Sequence, residues 1–180
     1  LETPAGITAI ALDKTGTLTH GRPAVTRVMA HSGTTEGELL AIAAALESRS
    51  SHPLAQAILR HARSLGIDPF PAEDGKILPG RGAQGRIQNV HYFVGNERML
   101  REEAARLLTP EVETLLDNQS LQAGTTVFVW DNSRLLGLLV IEDKVRPESR
   151  NAIEALKHLG ITRVIMLTGD NERTARVMAE

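Results

Sequence analysis

The sequence predicts an α/β protein in which a parallel sheet is interrupted by an inserted α+β domain. Three observations predict this arrangement: an apolar run near the start of the chain ends on Asp13, helix and strand alternate again after Pro147, and antiparallel strands and helices lie between. Because the two outer regions have the character of one sheet, the middle region is most simply an insertion. We therefore expect residues 1–21 and 138–180 to form one domain and residues 22–137 the other.

The first element is a predicted buried strand over residues 7–12, and it delivers Asp13 to its carboxyl end. Active groups of parallel sheets lie at this end of the strands. A carboxylate there can attack phosphorus if nearby cations screen the repulsion between two anions. Lys14, Thr15 and Gly16 supply a cation, a hydroxyl and an unhindered backbone beside it.

The middle region contains several helices and an antiparallel sheet. Ala and Leu dominate its first helix, a proline opens the second, and Asp131-Asn132-Ser133 is a hairpin turn. The predicted helices are Glu36–Glu47, Pro53–Leu65, Asn96–Leu108 and Pro110–Gln122. The predicted strands are a pair within Gly85–Val94 that turns around Asn89-Val90, followed by Thr126–Trp130 and Arg134–Ile141.

The last region predicts a helix over Pro147–Leu159, a strand over Arg163–Leu167 and a further helix from Asn171 to the end of the chain. Thr168 and Asp170 follow that strand, so in a parallel sheet they reach the same edge as Asp13. The Thr168 hydroxyl can donate to a phosphoryl oxygen. Asp170 and Asn171 cap the final helix, whose N-terminus favours anions.

The middle region carries a second candidate site. His52 opens a helix five residues after Glu47, and Gly80 and Gly82 belong to a glycine-rich loop. An isolated histidine at a helix start is usually a surface residue, and this glycine pattern neither follows a parallel strand nor opens a helix. A more specific interpretation is an adenine pocket, in which glycines admit the base, an imidazole stacks on it and a carboxylate accepts from its amine.

Composition narrows the class of protein. The 180 residues carry a formal net charge of −2, which does not favour nucleic acid as a partner, and the absence of cysteine excludes disulfides and thiolate metal sites. No apolar run approaches the roughly 20 residues of a membrane span. A start at Leu1 and an end within a helical pattern are typical of a piece of a longer protein. The remaining histidines are scattered without metal-site spacing, and we expect surface positions for His20, His31, His61, His91 and His158.

The run Asp13-Lys14-Thr15-Gly16-Thr17-Leu18-Thr19 resembles the phosphorylation motif of P-type cation ATPases at all seven positions. Thr-Gly-Asp-Asn and an Asp-x-x-Arg-Pro at Asp143, Arg146 and Pro147 resemble further motifs of that family. The His-Pro-Leu segment, its upstream Glu and the Gly-x-Gly are similar to the heavy-metal branch, with Ser51 in place of the usual Glu. The resemblance runs from Thr8 to the last residues.

That resemblance implies a haloacid-dehalogenase-like sheet and a nucleotide-binding insertion. It implies ATP contacts at Glu47, His52, Gly80 and Gly82, transfer of the γ-phosphate to Asp13, assistance from Lys14 and Thr168, and Mg²⁺ on the Asp13 carboxylate and the Thr15 carbonyl. The implied parent is an integral membrane protein with this region in the cytoplasm, joined to transmembrane and actuator domains, and it exports a metal, with zinc or cadmium favoured over copper. The family's downstream lysine and Gly-Asp-Gly-x-Asn-Asp segment do not occur here, so we expect ATP binding from this chain and phosphorylation in the longer parent.

Two alternatives stay open at this point. A soluble phosphatase of the haloacid dehalogenase type shares the nucleophilic aspartate and the sheet, but it usually has a second aspartate two residues later, where this chain has Thr15. Without that carboxylate, an aspartyl phosphate is expected to persist. The other alternative is an ATP-binding module that performs no catalysis.

Overall fold

A computed structural model describes residues 7–31, 33–114 and 124–167. Within them the chain forms two sheets, one parallel and one antiparallel, which confirms the mixed α/β class predicted from the sequence. The parallel sheet pairs β1 (Ala9–Asp13) with β8 (Arg163–Leu167). The antiparallel sheet has the strand order β2-β7-β6-β5-β4-β3, with β2 at Ala24–Ala30, β3 at Glu73–Leu78, β4 at Gly82–Ile87, β5 at Val90–Gly95, β6 at Thr125–Asp131 and β7 at Leu135–Glu142.

The helices agree with their predicted positions. They are α1 (Glu36–Glu47), α2 (Pro53–Ser64), α3 (Glu97–Ala104), which a 3₁₀ turn at Ala105–Leu107 extends, and α4 (Pro147–His158). Residues 110–114 are helical, and the rest of the helix predicted to reach Gln122 lies outside the described residues, as does the final predicted helix.

The central strands of the antiparallel sheet are buried on both faces. Along β6, Val127 and Val129 join the apolar cluster that contains α1 and α2, whereas Phe128 and Trp130 join the cluster that contains α3. Because both faces are covered, residues 127–130 of β6 and 135–141 of β7 form runs without polar alternation. α1 supplies eight consecutive buried residues from Leu39 to Leu46, which explains its Ala and Leu content.

The structure adds two strands that the sequence did not predict. β3 is an edge strand with an almost entirely exposed pattern, so its residues carry no apolar alternation. In β2 a bulge between Val25 and Arg27 interrupts the alternation. The hairpin between β4 and β5 turns at Gln88 and Asn89, one residue earlier than expected, because both adopt positive φ (49° and 65°).

The first strand also differs from expectation. β1 extends through Asp13 and is half-exposed instead of buried, and Ile7 before it is 55% exposed. Among the described residues β1 pairs with β8 alone, so its faces are covered much less than those of the six-stranded sheet. Its carboxyl end nevertheless presents Asp13 as predicted. Residues Lys14–Leu18 follow as one wide turn of π-helix.

Two segments of the chain connect the two sheets, one after β1 and one after β7. The carboxylate of Asp143 joins these two segments by hydrogen bonds. Asp143 accepts hydrogen bonds at Oδ2 from the Thr19 hydroxyl (2.6 Å) and the Gly21 N–H (3.1 Å), and at Oδ1 from the Arg22 N–H (3.0 Å). Arg146 Nε donates to the Thr19 carbonyl at 2.8 Å. The segment after β1 and the segment after β7 therefore lie side by side.

Candidate functional site

A cavity of about 300 Å³ opens beside the ends of α1 and α2. The structure places all four site residues predicted in the middle region on its wall, namely Glu47, His52, Gly80 and Gly82. The rest of the wall is mainly apolar, with Leu54, Ile58, Ile77, Leu78, Pro79 and Val127, and its further polar members are Ser50, Arg81, Asn96, Thr125 and Thr126. A small apolar cavity with a few convergent polar groups is typical of a small-molecule site.

Glu47 is the last residue of α1 and brings a carboxyl to this cavity. Burial raises its pKa above the ordinary value, and a hydrogen bond from the Ser50 hydroxyl opposes that shift. The Ser50 oxygen also accepts from the His52 N–H at 3.3 Å. One buried hydroxyl thus links the carboxyl of Glu47 to the first turn of α2.

His52 is the N-cap of α2, and Pro53 occupies the first helical position. Its Nδ1 accepts a hydrogen bond from the Leu54 N–H at 3.3 Å. In the neutral ring this bond places the proton on Nε2. The cap fixes the imidazole at the cavity mouth, with its exposed faces and Nε2–H available to a ligand.

Gly80 lies within the turn from β3 to β4 and Gly82 is the first residue of β4, and the two glycines serve different purposes. Gly80 has a φ of +70°, and an added Cβ would meet open space. At Gly82 an added Cβ would lie 2.0 Å from the carbonyl oxygen of Val94 on the neighbouring strand. Gly80 thus lets the turn form with open space beside it, whereas Gly82 is required by close packing of β4 against β5.

Asn96 holds this glycine turn in place. Its Nδ2 donates to the Gly80 carbonyl at 2.9 Å, and its backbone N–H donates to the Arg81 carbonyl at 2.9 Å. Its Oδ1 accepts from the Met99 N–H at 2.9 Å and so caps α3. One side chain therefore connects the cavity wall to the start of a helix.

Arg81 is a cation on the cavity wall whose charge is already paired. Its guanidinium lies 2.9 Å from a Glu102 oxygen and 2.8 Å from a Glu103 oxygen, both on α3. Glu102 also pairs with the Arg98 guanidinium at 2.8 Å, so the charges of this cluster balance. The Arg81 guanidinium therefore attracts an anion less than an unpaired cation would.

Sequence reasoning missed Ser50, Arg81 and Asn96 as lining residues. Two signals were available: Ser50 stands two residues before the His-Pro pair, and Asn96 follows a glycine at the start of a predicted helix. The pairing of Arg81 with α3 depends on tertiary contacts and has no signal in the sequence.

Asp13 stands apart from the cavity, exposed at the carboxyl end of β1, where its register partner on β8 is Leu167. Three predicted site residues, Thr168, Asp170 and Asn171, lie outside the described residues. The side chains of Lys14 and Thr15 lie outside them as well. Among the described residues, no three His, Asp or Glu side chains form a group that could hold a metal ion. No helix in the described ranges has the length and apolarity needed to cross a membrane.

The raised pKa of Glu47 predicts a pH dependence of stability. Because the folded state favours the protonated carboxyl, this group's contribution to stability is complete below the unfolded pKa and is lost as pH rises through the folded pKa. From about pH 4 to about pH 8, the free energy of unfolding of wild type should therefore fall relative to that of Glu47→Gln. Urea unfolding at each pH measures the free energy of unfolding of both proteins.

The control for that experiment is Glu154→Gln, which removes an exposed carboxyl on α4. Its free energy of unfolding should change with pH in the same way as that of wild type over the same pH range. Parallel curves for Glu47→Gln as well would contradict a raised Glu47 pKa.

Comparison with known proteins agrees with this geometry. The chain is 39% identical over 181 residues to a probable cadmium-transporting ATPase of Staphylococcus aureus, a match that covers 99% of the chain and 25% of that relative, so the chain spans about a quarter of its length. Among solved structures it is similar to a zinc-transporting PIB-type ATPase in the E2.Pi state, with a TM-score of 0.72, 35% identity, and coverage of 96% of this chain and 27% of that one.

A second solved structure is the catalytic domain of the CPx-ATPase CopB-B, studied for its conformational changes upon nucleotide binding. It matches with a TM-score of 0.68 and 28% identity, and covers 96% of this chain and 57% of that one. The family model of the haloacid dehalogenase-like hydrolases matches residues 7–180. The chain thus belongs to the haloacid dehalogenase-like hydrolase family, and over nearly its whole length it is similar to heavy-metal P-type ATPases.

Proposed function

We propose that this chain is the ATP-binding and phosphorylation region of a heavy-metal-transporting P-type ATPase. The observation that carries the proposal is the convergence of Glu47, His52, Gly80 and Gly82 on one cavity wall, although they come from three separate segments of the chain. The names of the similar proteins, transporters of cadmium and zinc and a domain that binds nucleotide, support the same function.

The cavity suits an adenine ring. Its volume of about 300 Å³ is at the small end of ligand sites, which fits a base better than a whole nucleotide. The ring would pack between the apolar wall and the imidazole of His52, beside the open turn at Gly80. The Glu47 carboxylate would accept from the exocyclic amine, and Ser50 would hold that carboxylate in place.

Asp13 is the proposed nucleophile. One of its carboxylate oxygens forms a bond to the γ-phosphorus of ATP as the bond to the β-phosphate oxygen breaks, so ADP leaves and an aspartyl phosphate remains. Lys14 and Thr168 would steady the transferred oxygens, and Asp170 and Asn171 would place a helix N-terminus towards the phosphate. Thr15, in place of a second aspartate, would leave the phosphoenzyme long-lived.

Mg²⁺ fits what is present at this strand tip. An exposed Asp13 carboxylate and the Thr15 carbonyl would supply two oxygen ligands, and Mg²⁺ commonly takes one or two carboxylates and completes its shell with water and phosphate. When bound, the ion neutralises charge on the phosphates. A soluble phosphatase is not favoured, because the similar proteins are transporters.

The division expected from the sequence assigns residues 1–21 and 138–180 to phosphorylation and residues 22–137 to nucleotide binding. Since β7 runs to Glu142 within the six-stranded sheet, we place the second junction after that strand, at Asp143. In the parent, transmembrane and actuator domains would couple the aspartyl phosphate to metal export, with this region on the cytoplasmic side. Zinc and cadmium are the favoured ions.

Removing the imidazole should weaken nucleotide binding. His52→Ala should reduce the affinity for ATP by about 1–2 kcal/mol, the scale of an aromatic contact. Because His52 also caps α2, His52→Asn is the matched variant: asparagine keeps the cap and lacks the ring. Calorimetric titration should show a similar loss for both variants. His61→Ala, at the other end of α2, should bind as wild type does, and unchanged affinity in His52→Asn would remove the imidazole from the site.

The nucleophile is tested in the intact parent protein. Asp13→Asn should abolish the acid-stable, hydroxylamine-labile phosphoenzyme formed with γ-labelled ATP, because an amide oxygen is a poor nucleophile. ATP binding should persist, since Asp13 is not part of the cavity wall. A phosphoenzyme that survives this substitution would assign the nucleophile to another residue.

A further inference from the structure

A shallow concave surface, which is wide open to solvent and encloses about 540 Å³, lies where the chain passes between the two sheets. We call it the basic groove, and its wall consists of His20, Arg22, Ala24, Lys144 and Arg146. Four of these five residues have basic side chains, in a chain whose formal net charge is −2. A concave surface lined by one sign of charge concentrates ligands of the opposite sign.

The backbone of the groove is held in place from both sides. The His20 N–H donates to the Lys144 carbonyl at 3.0 Å, and the Arg146 N–H donates to the Leu18 carbonyl at 2.9 Å. The Arg22 N–H donates to Asp143 Oδ1 at 3.0 Å. The basic residues of the two crossing segments are therefore brought together before any ligand binds, which lowers the entropic cost of binding.

The charge of the groove is available to a ligand. Neither Arg22 nor Lys144 forms an ion pair with another described residue, and both side chains are exposed. The nearby carboxylate of Asp143 accepts from the Thr19 hydroxyl and from the N–H groups of Gly21 and Arg22, and it forms no ion pair with a basic side chain of the described groove residues.

The groove lies at the same end of the large sheet as the cavity beside Glu47. In the strand register, Ala24 of the groove pairs with Glu142 at the end of β7, and Thr125 of the cavity pairs with the adjacent Ile141. Two strand spacings, about 10 Å, separate β2 from β6. The ribose and phosphate chain of an extended nucleotide has a similar length.

We propose that the basic groove binds the phosphate chain of the nucleotide whose base occupies the cavity beside Glu47. The observation is that the backbone holds four basic residues together at the same sheet end as the cavity, whereas the cavity's own guanidinium, Arg81, is paired with two carboxylates. This inference rests on the proposed function. It assigns Arg22 and Lys144 as phosphate contacts. Arg146 has a structural role, because its guanidinium donates to the carbonyl groups of Thr19 and Gly16.

The test is a calorimetric titration of the whole chain with adenosine, AMP, ADP and ATP. Arg22→Gln and Lys144→Gln should each reduce ATP affinity roughly two- to fivefold, the scale of an exposed ion pair, and should leave adenosine affinity unchanged. The matched control, Lys157→Gln, removes the same charge about 16 Å along α4 from Arg146 and should match wild type throughout. Added KCl should weaken ATP binding less in the two groove variants than in wild type.

The outcomes separate this inference from the proposed function. If no nucleotide or nucleoside binds, the proposed function fails and the inference with it. Adenosine and ATP can also both bind, with the same ratio of ATP affinity to adenosine affinity in wild type and in the three variants. In that case the inference fails and the proposed function stands. Inorganic tripolyphosphate distinguishes the source of the phosphate: competition with ATP supports one shared groove, and simultaneous binding of both overturns it.

Discussion

The carboxylate of Asp143 is the contact on which the arrangement of this chain depends. Its two oxygens accept three hydrogen bonds from Thr19, Gly21 and Arg22, residues that are far from it in sequence. Bonds to an ionised carboxylate are stronger than bonds between neutral groups. They hold together the two segments through which the chain leaves and re-enters the parallel sheet. Together with the backbone bonds from His20 to Lys144 and from Arg146 to Leu18, this contact brings the four basic residues of the groove together.

The cavity is a consequence of how the large sheet is covered. α1 is buried along eight residues and ends at Glu47, so the helix that completes the core also carries a carboxyl to the edge of that core. Burial disfavours the ionised carboxyl, and the hydroxyl of Ser50 offsets part of that cost. A ligand amine would offset more of it. Under the proposed function, a ligand that donates a hydrogen bond to Glu47 would be favoured for this reason.

The features that sequence patterns predicted are those set by local chemistry. The Ala and Leu content of α1 and the proline that opens α2 placed those helices within a residue. The turn at Asp131 was recognisable because its carboxylate accepts from the N–H groups of Ser133 and Arg134. The edge strand β3 was missed because an exposed strand has no apolar alternation. The basic groove was missed for another reason: it joins His20 and Arg22 to Lys144 and Arg146, and only the folded chain brings them together.

The most direct test of a nucleotide site in this cavity is to observe which protons touch the base. Intermolecular NOEs from adenine H2 and H8 of bound ATP should connect to the His52 ring, to the methyl groups of Ile58 and Val127, and to the Gly80 amide. That set would place the base against the wall described above. Saturable binding with NOEs to other residues and none to these would contradict the account, because the base would then bind elsewhere.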